Sequence, residues 1–266
     1  MIVLKVGGSL LDRDLSNLID DICELWRRRK VILVHGAGRE VDRIAEKMRI
    51  RQEFLKSPSG FVTRVTDEET LRLMIMVGAG NINKTLVTSL IQRSIPAIGI
   101  SGVDGPLLIA KRKKKVKVVK DGRKFFVDAG FTGKVQQVNV SLLKLLLDSG
   151  YLPVIAPIAL DGEEKVPLNV DADRVAAQVA ASIGSSTLIL FTDVKGVLID
   201  GELVTEISLD QIDGYIEKVG PGMKRKLFAA KEALLGGVEE VIIASGSREN
   251  PVINALAHKE CTVVRR

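Results

Sequence analysis

The chain has 266 residues, 46% of them hydrophobic, and a formal net charge of +6. That length and apolar content suit one large α/β domain or two closely joined lobes, and no run of about eighteen apolar residues is present to span a membrane. Two cysteines (Cys23, Cys261) and two histidines (His35, His258) are too few for a disulfide framework, a four-ligand zinc site or chemistry resting on several histidines.

The first elements alternate short β-branched runs with helical patterns. Residues 2–6 (IVLKV) read as a strand, with no basic start or long apolar stretch of a signal peptide. Ser16 suits a helix N-cap, and Leu18, Ile19, Ile22, Leu25 and Trp26 then share one face. Residues 31–34 (VILV) form a second strand, followed by a glycine turn and another helix. Thr66-Asp-Glu-Glu69 has capping-box spacing and opens a helical pattern toward Gln92, with a kink expected at Gly78 and Gly80. Residues 96–101 read as a third strand.

Residues 107–127 break the pattern. Leu108 to Val119, a turn at Asp121-Gly122, and Arg123 to Val127 predict a β-hairpin. Residues 111–124 hold nine Lys/Arg against Asp121, a local +8 that leaves the rest of the chain at −2. Helices near 141–149 and from about 172, and strands at 151–156 and 187–191, restore the α/β alternation. Residues 197–204 read as a second hairpin turning at Asp200-Gly201. Helices near 208–217 and 222–235, then strands near 240–244 and 261–264, finish the chain. Apolar strands separated by helices predict a three-layer αβα sandwich with a central, mainly parallel sheet, plus β-hairpins. Residues 1–266 read as one domain, with an N-terminal lobe of about 1–180 and a C-terminal lobe of about 181–266.

Several turns carry candidate chemistry. Lys5-Val-Gly7-Gly8-Ser9 leaves the first strand with glycines that let backbone N–H groups approach phosphate, and with a lysine as point charge; the P-loop spacing is absent. Val34-His35-Gly36-Ala37-Gly38-Arg39 is a second glycine turn, lacking the third glycine of a dinucleotide fingerprint. Asn169, Asp171 and Asp173 alternate before a helix, more polar groups than one cap needs. Thr192-Asp193 and Gly196 sit at a strand end. Gly220-Pro-Gly222-Met-Lys224-Arg225-Lys226 opens a helix with positive charge, unfavourable to the dipole unless an anion binds.

Taken in order, K-x-G-G, VHG-x-G, Arg64-Val-Thr-Asp67, N-x-D-x-D, TD-x-x-G and G-P-G-M-x-x-K resemble the amino-acid-kinase family over nearly the whole chain. Arg64-Val-Thr-Asp67 and Asn169 resemble its N-acetylglutamate kinase branch. Ser57-Pro-Ser-Gly60, Gly102-Val-Asp-Gly105 and the basic segment after Ala110 are most similar to archaeal kinases of aminoadipate and glutamate. Those acceptors are attached through the amino group to a small acidic carrier protein, LysW. One departure is Ala37, where the family usually has a third consecutive glycine.

The resemblance implies transfer of the ATP γ-phosphoryl group to a side-chain carboxylate, giving an acyl phosphate in lysine and/or arginine biosynthesis. A carboxylate is ionised at pH 7 and needs no general base, in keeping with the scarcity of histidine. By the same resemblance, Lys5 and Lys226 stabilise the transition state and Asp173 orients both. Gly7, Gly8, Gly36, Ala37 and Gly38 offer backbone N–H groups. Arg64 clamps the acceptor's α-carboxylate with Asn169 as second contact, and Thr192, Asp193, Gly196 and Gly222 line the nucleotide site. Magnesium is expected to arrive with ATP, without a dedicated protein metal site. The carrier is expected to dock on Lys111, Arg112, Lys113, Lys114, Lys115 and Lys117. The start at the first strand, without the extra helix that ties arginine-inhibited relatives into hexamers, implies an arginine-insensitive homodimer. A cytoplasmic setting is expected, with no nucleic-acid or membrane partner.

Three other readings remain at this point. A kinase of free N-acetylglutamate would share every residue of the chemistry. A nucleic-acid binder would use residues 111–124 with Phe125 and Phe126 as stacking platforms, although such a pair is more often core. A solvated hairpin face needs no partner at all. Aminoadipate and glutamate differ by one carbon, worth only about 1–3 kcal/mol, and are not separated by sequence.

Overall fold

The computed structural model describes residues 1–58, 60–120 and 123–266, with the backbone only for 119, 120, 123 and 124. The turn expected at Asp121-Gly122, and Ser59 of the Ser57–Gly60 run, lie outside the described residues.

β1 (Ile2–Val6) is buried along its whole length. Ile2, Leu4 and Val6 pack into one core cluster and Val3 into the other, so the period-two alternation puts Lys5 on the face of Val3. α1 (Ser16–Trp26) begins with Ser16 itself; the capping role passes to Asp14, whose carboxylate accepts from Ser16 N (2.9 Å) and Oγ (2.6 Å). β2 (Val31–His35) leads into α2 (Gly38–Met48). β3 (Phe54–Lys56) and β4 (Val62–Arg64) form a small antiparallel hairpin. α3 (Glu68–Met74) is capped by Asp67, which accepts from Thr70 N at 2.8 Å, one residue later than the capping-box spacing suggests. A π-helical stretch, Ile75–Ile82, joins it to α4 (Asn83–Ile91). The irregularity expected at Gly78 and Gly80 is therefore a widened helix. It meets the Ala37 methyl, which would lie 3.3 Å from a Cβ on Gly78.

β5 (Ala97–Ser101) is followed by three strands where one long hairpin was expected. β6 (Leu108–Arg112) ends before Lys113, whose N–H donates to Thr132 O at 2.8 Å, and only β7 (Val116–Lys120) and β8 (Arg123–Val127) pair as a ribbon. β9 (Gly133–Val138) pairs with β6, and α5 (Val140–Asp148) and β10 (Leu152–Ala156) return the chain to the main sheet. β11 (Ile158–Asp161) and β12 (Pro167–Asn169) complete a four-stranded sheet, β12-β11-β6-β9.

α6 (Ala172–Ile183) and β13 (Thr187–Thr192) precede the second hairpin, β14 (Val197–Ile199) and β15 (Glu202–Val204). Its turn is the expected Asp200-Gly201, both at positive φ (52° and 86°), as a two-residue turn between twisted strands requires. β16 (Glu206–Ser208), α7 (Ile212–Lys218), α8 (Pro221–Leu235), β17 (Glu240–Ser245), α9 (Pro251–Leu256) and β18 (Cys261–Arg265) follow.

The main sheet runs β16-β18-β17-β13-β1-β2-β10-β5 and is parallel except at β17–β18. α1, α2, α3, α4 and α9 cover one face and α5, α6, α7 and α8 the other, the expected αβα sandwich. The carboxyl ends of β1, β2 and β13 therefore lie side by side, the position at which open α/β sheets bind ligands.

α9 is tied to the N-terminal half by a buried carboxylate. Asp21 of α1 accepts from Val252 N (2.8 Å) and Ile253 N (3.2 Å). Asp21→Ala leaves two amides without their acceptor, and a loss of about 1–3 kcal/mol is expected. Urea unfolding checks it: the midpoint should fall at unchanged slope, and an unmoved midpoint refutes the capping role.

Candidate active site

A cavity of about 620 Å³ opens at these strand ends. β1 delivers Lys5 from its inner face, and α6 delivers Asp173 from its first turn, where the helix dipole favours a carboxylate. α8 delivers Lys226. Lys5 Nζ lies 2.7 Å from Asp173 Oδ1 and Lys226 Nζ lies 3.2 Å from Oδ2, so one carboxylate bridges two ammonium groups. All three are buried, Lys5 being 4% exposed. Burial raises the Asp173 pKa, but Lys226 and Lys5 outweigh it and hold the carboxyl below its usual range. Burial acts the other way on Lys5, lowering its pKa, and Asp173 opposes that loss of charge.

The two glycine turns interlock beside this triad. A Cβ on Gly36 would sit 2.9 Å from Gly8 N, and one on Gly8 would sit 3.2 Å from Gly38 N, so side chains there would force the turns apart. Gly7 N–H donates to Phe191 O (3.2 Å) and Gly36 N–H to Val6 O (2.9 Å). Those two residues shape the turns and use their N–H groups within the fold; Gly8, Ala37 and Gly38 line the cavity without that commitment. α2 and α8 both start here with no side-chain cap hydrogen bond, and α8 has no acid in its first turn. Buried His35 is held neutral, with its pKa lowered to about 4 by desolvation. Nδ1–H donates to Gly36 O (3.0 Å), a tautomer inferred from the network, and Nε2 accepts from Asn83 (3.2 Å).

Arg64 lines the same cavity from β4. Its guanidinium pairs with Asp42 at 2.6 Å, donates to Gln52 Oε1 and to Gly38 O (3.3 Å), and lies 4.7 Å over the Phe54 ring. Asn169 donates to Thr66 Oγ1 at 3.0 Å. Arg225 of α8 donates to Val62 O, and Phe61 meets Phe228 edge-on at 5.5 Å, which closes the β3–β4 hairpin onto α8.

The cavity brings together Lys5, Gly7, Gly8, Gly36, Ala37, Gly38, Arg64, Asn169, Asp173, Gly222 and Lys226. Thr192, Asp193 and Gly196 are outside its lining. Asp193 reaches it indirectly, accepting from the lining residue Arg39 at 3.2 Å and from Thr192 Oγ1 at 3.2 Å. Gly196 packs on β18, where a Cβ would lie 2.5 Å from Thr262 Oγ1.

The basic segment divides. Arg112 donates to Gly130 O (2.9 Å), pairs with Glu164 (3.0 Å) and covers the Phe131 ring at 4.5 Å, a structural set of contacts. Lys114 also pairs with Glu164 (2.8 Å), and Lys111 approaches Glu163 at 4.0 Å. Lys113 points away from this surface and lines the cavity. Lys115 and Lys117 are exposed. Phe125 and Phe126 are not core as expected: both are exposed, Phe126 by 66%, and Phe126 stands opposite Lys117 on the ribbon. The cavity roles of Lys113 and of the Arg225–Val62 closure were not legible in the sequence, where both cations sit inside uniform basic runs.

Among the described residues no helix is long and apolar enough to cross a membrane, and no group of three His, Cys, Asp or Glu could hold a metal ion.

The amino acid kinase family model matches residues 1–245. A Nitrosopumilus maritimus relative is 45% identical over 265 residues, 99% of each chain. A [LysW]-aminoadipate/[LysW]-glutamate kinase of Saccharolobus solfataricus is 40% identical over 257 residues, 96% of each chain. Among solved structures, an N-acetylglutamate synthase of Neisseria gonorrhoeae superposes with a TM-score of 0.81 at 25% identity. It matches all of this chain, which spans 59% of the synthase. Carbamate kinase of Giardia lamblia shares the fold, with a TM-score of 0.66 at 16% identity, covering 99% of this chain and 98% of that one. The motifs, the sheet order and these full-length matches lead to one assignment: the chain belongs to the amino acid kinase family.

Proposed function

We propose that the protein phosphorylates the side-chain carboxylate of aminoadipate or glutamate linked through its amino group to an acidic carrier protein, at the expense of ATP. The observation that carries this reading is the Lys5–Asp173–Lys226 bridge at the joined glycine turns, in a family whose full-length relatives bear that kinase name. One carboxylate oxygen attacks the γ-phosphorus, the bond to the β-phosphate bridging oxygen breaks, and ADP leaves; no proton has to move. The work is electrostatic. Lys5 and Lys226 meet the charge on the moving phosphoryl group. Asp173 holds both ammonium groups in place and opposes the loss of charge on Lys5. The N–H groups of Gly8, Ala37 and Gly38 and the open start of α8 at Gly222 take phosphate oxygens.

Arg64 offers its remaining donors to the acceptor's α-carboxylate, with Asn169 beside it. Thr192, Asp193 and Gly196 belong to the nucleotide's far side in this reading. Magnesium would come with the ATP phosphates and be held by them. A cytoplasmic homodimer is part of the proposal, with exposed Met76 and Ile91 near edge strand β5 supporting an assembly surface. ATP consumption compared across N-acetylglutamate, carrier-linked aminoadipate and carrier-linked glutamate tests the function, and turnover of only the first would sink it.

Three outcomes follow from the roles. Lys5→Ala and Lys226→Ala should each lower kcat about a hundredfold or more with the fold intact. Asp173→Asn removes the anion that opposes the burial-lowered pKa of Lys5, so that pKa falls further and the loss should be worst at high pH. A kcat ratio between pH 6 and pH 8 no greater than that of wild type would remove Asp173 from this role. Arg64→Ala should instead raise KM for the acceptor and leave KM for ATP nearly unchanged; the reverse pattern would mean that the two sites are exchanged.

In this reading the carrier docks on Lys115, Lys117 and Phe126 at the ribbon, a choice supported by their exposure, with Lys111 and Lys114 partly neutralised beside them by Glu163 and Glu164. Val116 lines the cavity, so this ribbon stands at its mouth. Replacing Lys115 and Lys117 with Ser should lower kcat/KM for the carrier-linked acceptor about tenfold or more at low salt, and less at high salt, because exposed charges steer encounter and are screened. Unchanged carrier kinetics would return the ribbon to a solvated face.

A further inference from the structure

His35 and Asn83 are polar, 0% and 1% exposed, and take no direct part in the phosphoryl chemistry. Asn83 opens α4 directly behind the π-helical stretch, and β5 makes room for it with Gly99, where any Cβ would collide with Asn83 Oδ1. The Asn83 amide nitrogen lies 2.9 Å from Val154 O of β10 and 3.2 Å from His35 Nε2. A carbonyl oxygen only accepts, so Val154 O decides which end of the amide faces it, and the second N–H of that nitrogen points at the ring. Nε2 is thereby the acceptor and Nδ1 carries the proton. Nδ1–H donates to Gly36 O at 3.0 Å. Burial holds the ring neutral, and Lys5 adds to that bias, so the ring keeps one donor and one acceptor.

The carbonyl so held belongs to the peptide that joins Gly36 to Ala37. The chain has no cis peptide bonds, so the oxygen and the N–H of this unit point in opposite directions. Holding Gly36 O against the ring turns Ala37 N–H away from it, at a residue that lines the active-site cavity. Among the described residues Ala37 N–H meets no acceptor of the fold, whereas Gly36 N–H is already bonded to Val6 O at 2.9 Å. Gly36 has no Cβ to restrict the peptide that follows it, so a contact outside the backbone has to choose its orientation. His35 supplies that contact.

We propose that His35 is a positioning residue: with Asn83 and Val154 O it locks the Gly36–Ala37 peptide so that Ala37 N–H is aimed at the phosphoryl group in transfer. The role rests on the kinase reading above and goes beyond it. No proton leaves the ring, and the histidine touches neither substrate. A misaimed donor matters most where charge has developed on the phosphoryl oxygens, so the effect falls on kcat more than on either KM.

Two substitutions part the lock from plain packing. The amide nitrogen of His35→Asn occupies the Nδ1 position, keeps the donor to Gly36 O and loses Asn83. The amide of His35→Gln reaches the Nε2 position, keeps Asn83 and loses Gly36 O. With the carrier-linked acceptor, kcat should fall about ten- to a hundredfold in His35→Gln, with both KM values within about threefold of wild type, and His35→Asn should keep most of the wild-type kcat. His35→Gln turning over as fast as His35→Asn overturns the lock, as does a loss that appears in KM alone. A measurement on wild type needs no variant to fold. The chain has only two histidines, so nitrogen-15 histidine labelling gives two rings to assign by NMR. At pH 7 His35 should show a neutral ring protonated on Nδ1, and a ring protonated on Nε2 overturns the lock whatever the kinetics. Wild type that turns over no carrier-linked acceptor sinks the kinase reading, whereas turnover together with the Nε2 tautomer sinks the lock alone.

Discussion

One buried carboxylate between two ammonium groups sets the geometry on which the rest of the site depends. Three charges in a dry interior are tolerable only if each has its partner at short range, and breaking one link leaves an uncompensated buried charge. Asp173 meets this condition with one oxygen toward Lys5 and the other toward Lys226. The bridge joins a strand from the start of the chain to two helices from its second half. It forms because α6 and α8 approach closely. Ala176, Ala177 and Ala180 on one and Ala229, Ala230 and Ala233 on the other are fully buried and leave no bulk between the backbones. Lys226 is thereby near enough to share the carboxylate that Lys5 already holds.

The glycine turns answer a second constraint, the contact between adjacent strand ends. β1 and β2 are parallel neighbours in register, Val6 opposite His35, so the turns that leave them must pass each other. Gly8 and Gly36 make that passage, and the Gly7 and Gly36 amides extend the sheet's hydrogen bonding one residue further. The Ala37 methyl is accommodated on the other side by Gly78. The π-helical widening and the alanine are thus neighbours in one packing arrangement, in which two distant departures from the regular pattern meet.

Local signals carried most of the fold. The apolar strands, the helix faces and the Asp200-Gly201 turn are set by neighbours within a few residues, and these elements stand where periodicity puts them. The site's turns were legible for the same reason, since glycine after a buried strand constrains its own vicinity. What was hidden depends on contacts across the chain. α9 is short, and its cap comes from Asp21, more than two hundred residues away. The long strand expected from Leu108 to Val119 is cut because β6 finds partners in β9 and β11 and the ribbon does not. A pair such as Phe125–Phe126 is more often core than platform, yet a two-stranded ribbon has no second layer to bury both.

The basic segment shows why net charge is a poor guide to role. In the sequence its lysines and arginines are interchangeable contributors to a single +8 patch. In the fold Arg112 is consumed by Glu164, Gly130 O and the Phe131 ring, Lys113 is turned into the cavity, and Lys115 and Lys117 stay in solvent. These environments give the same formal charge different physics. A solvated lysine acts over a distance set by the Debye length and changes encounter more than residence. A desolvated lysine acts at hydrogen-bond range and changes how long an acceptor stays. The break between β6 and β7 lets one short stretch of chain supply both kinds of contact.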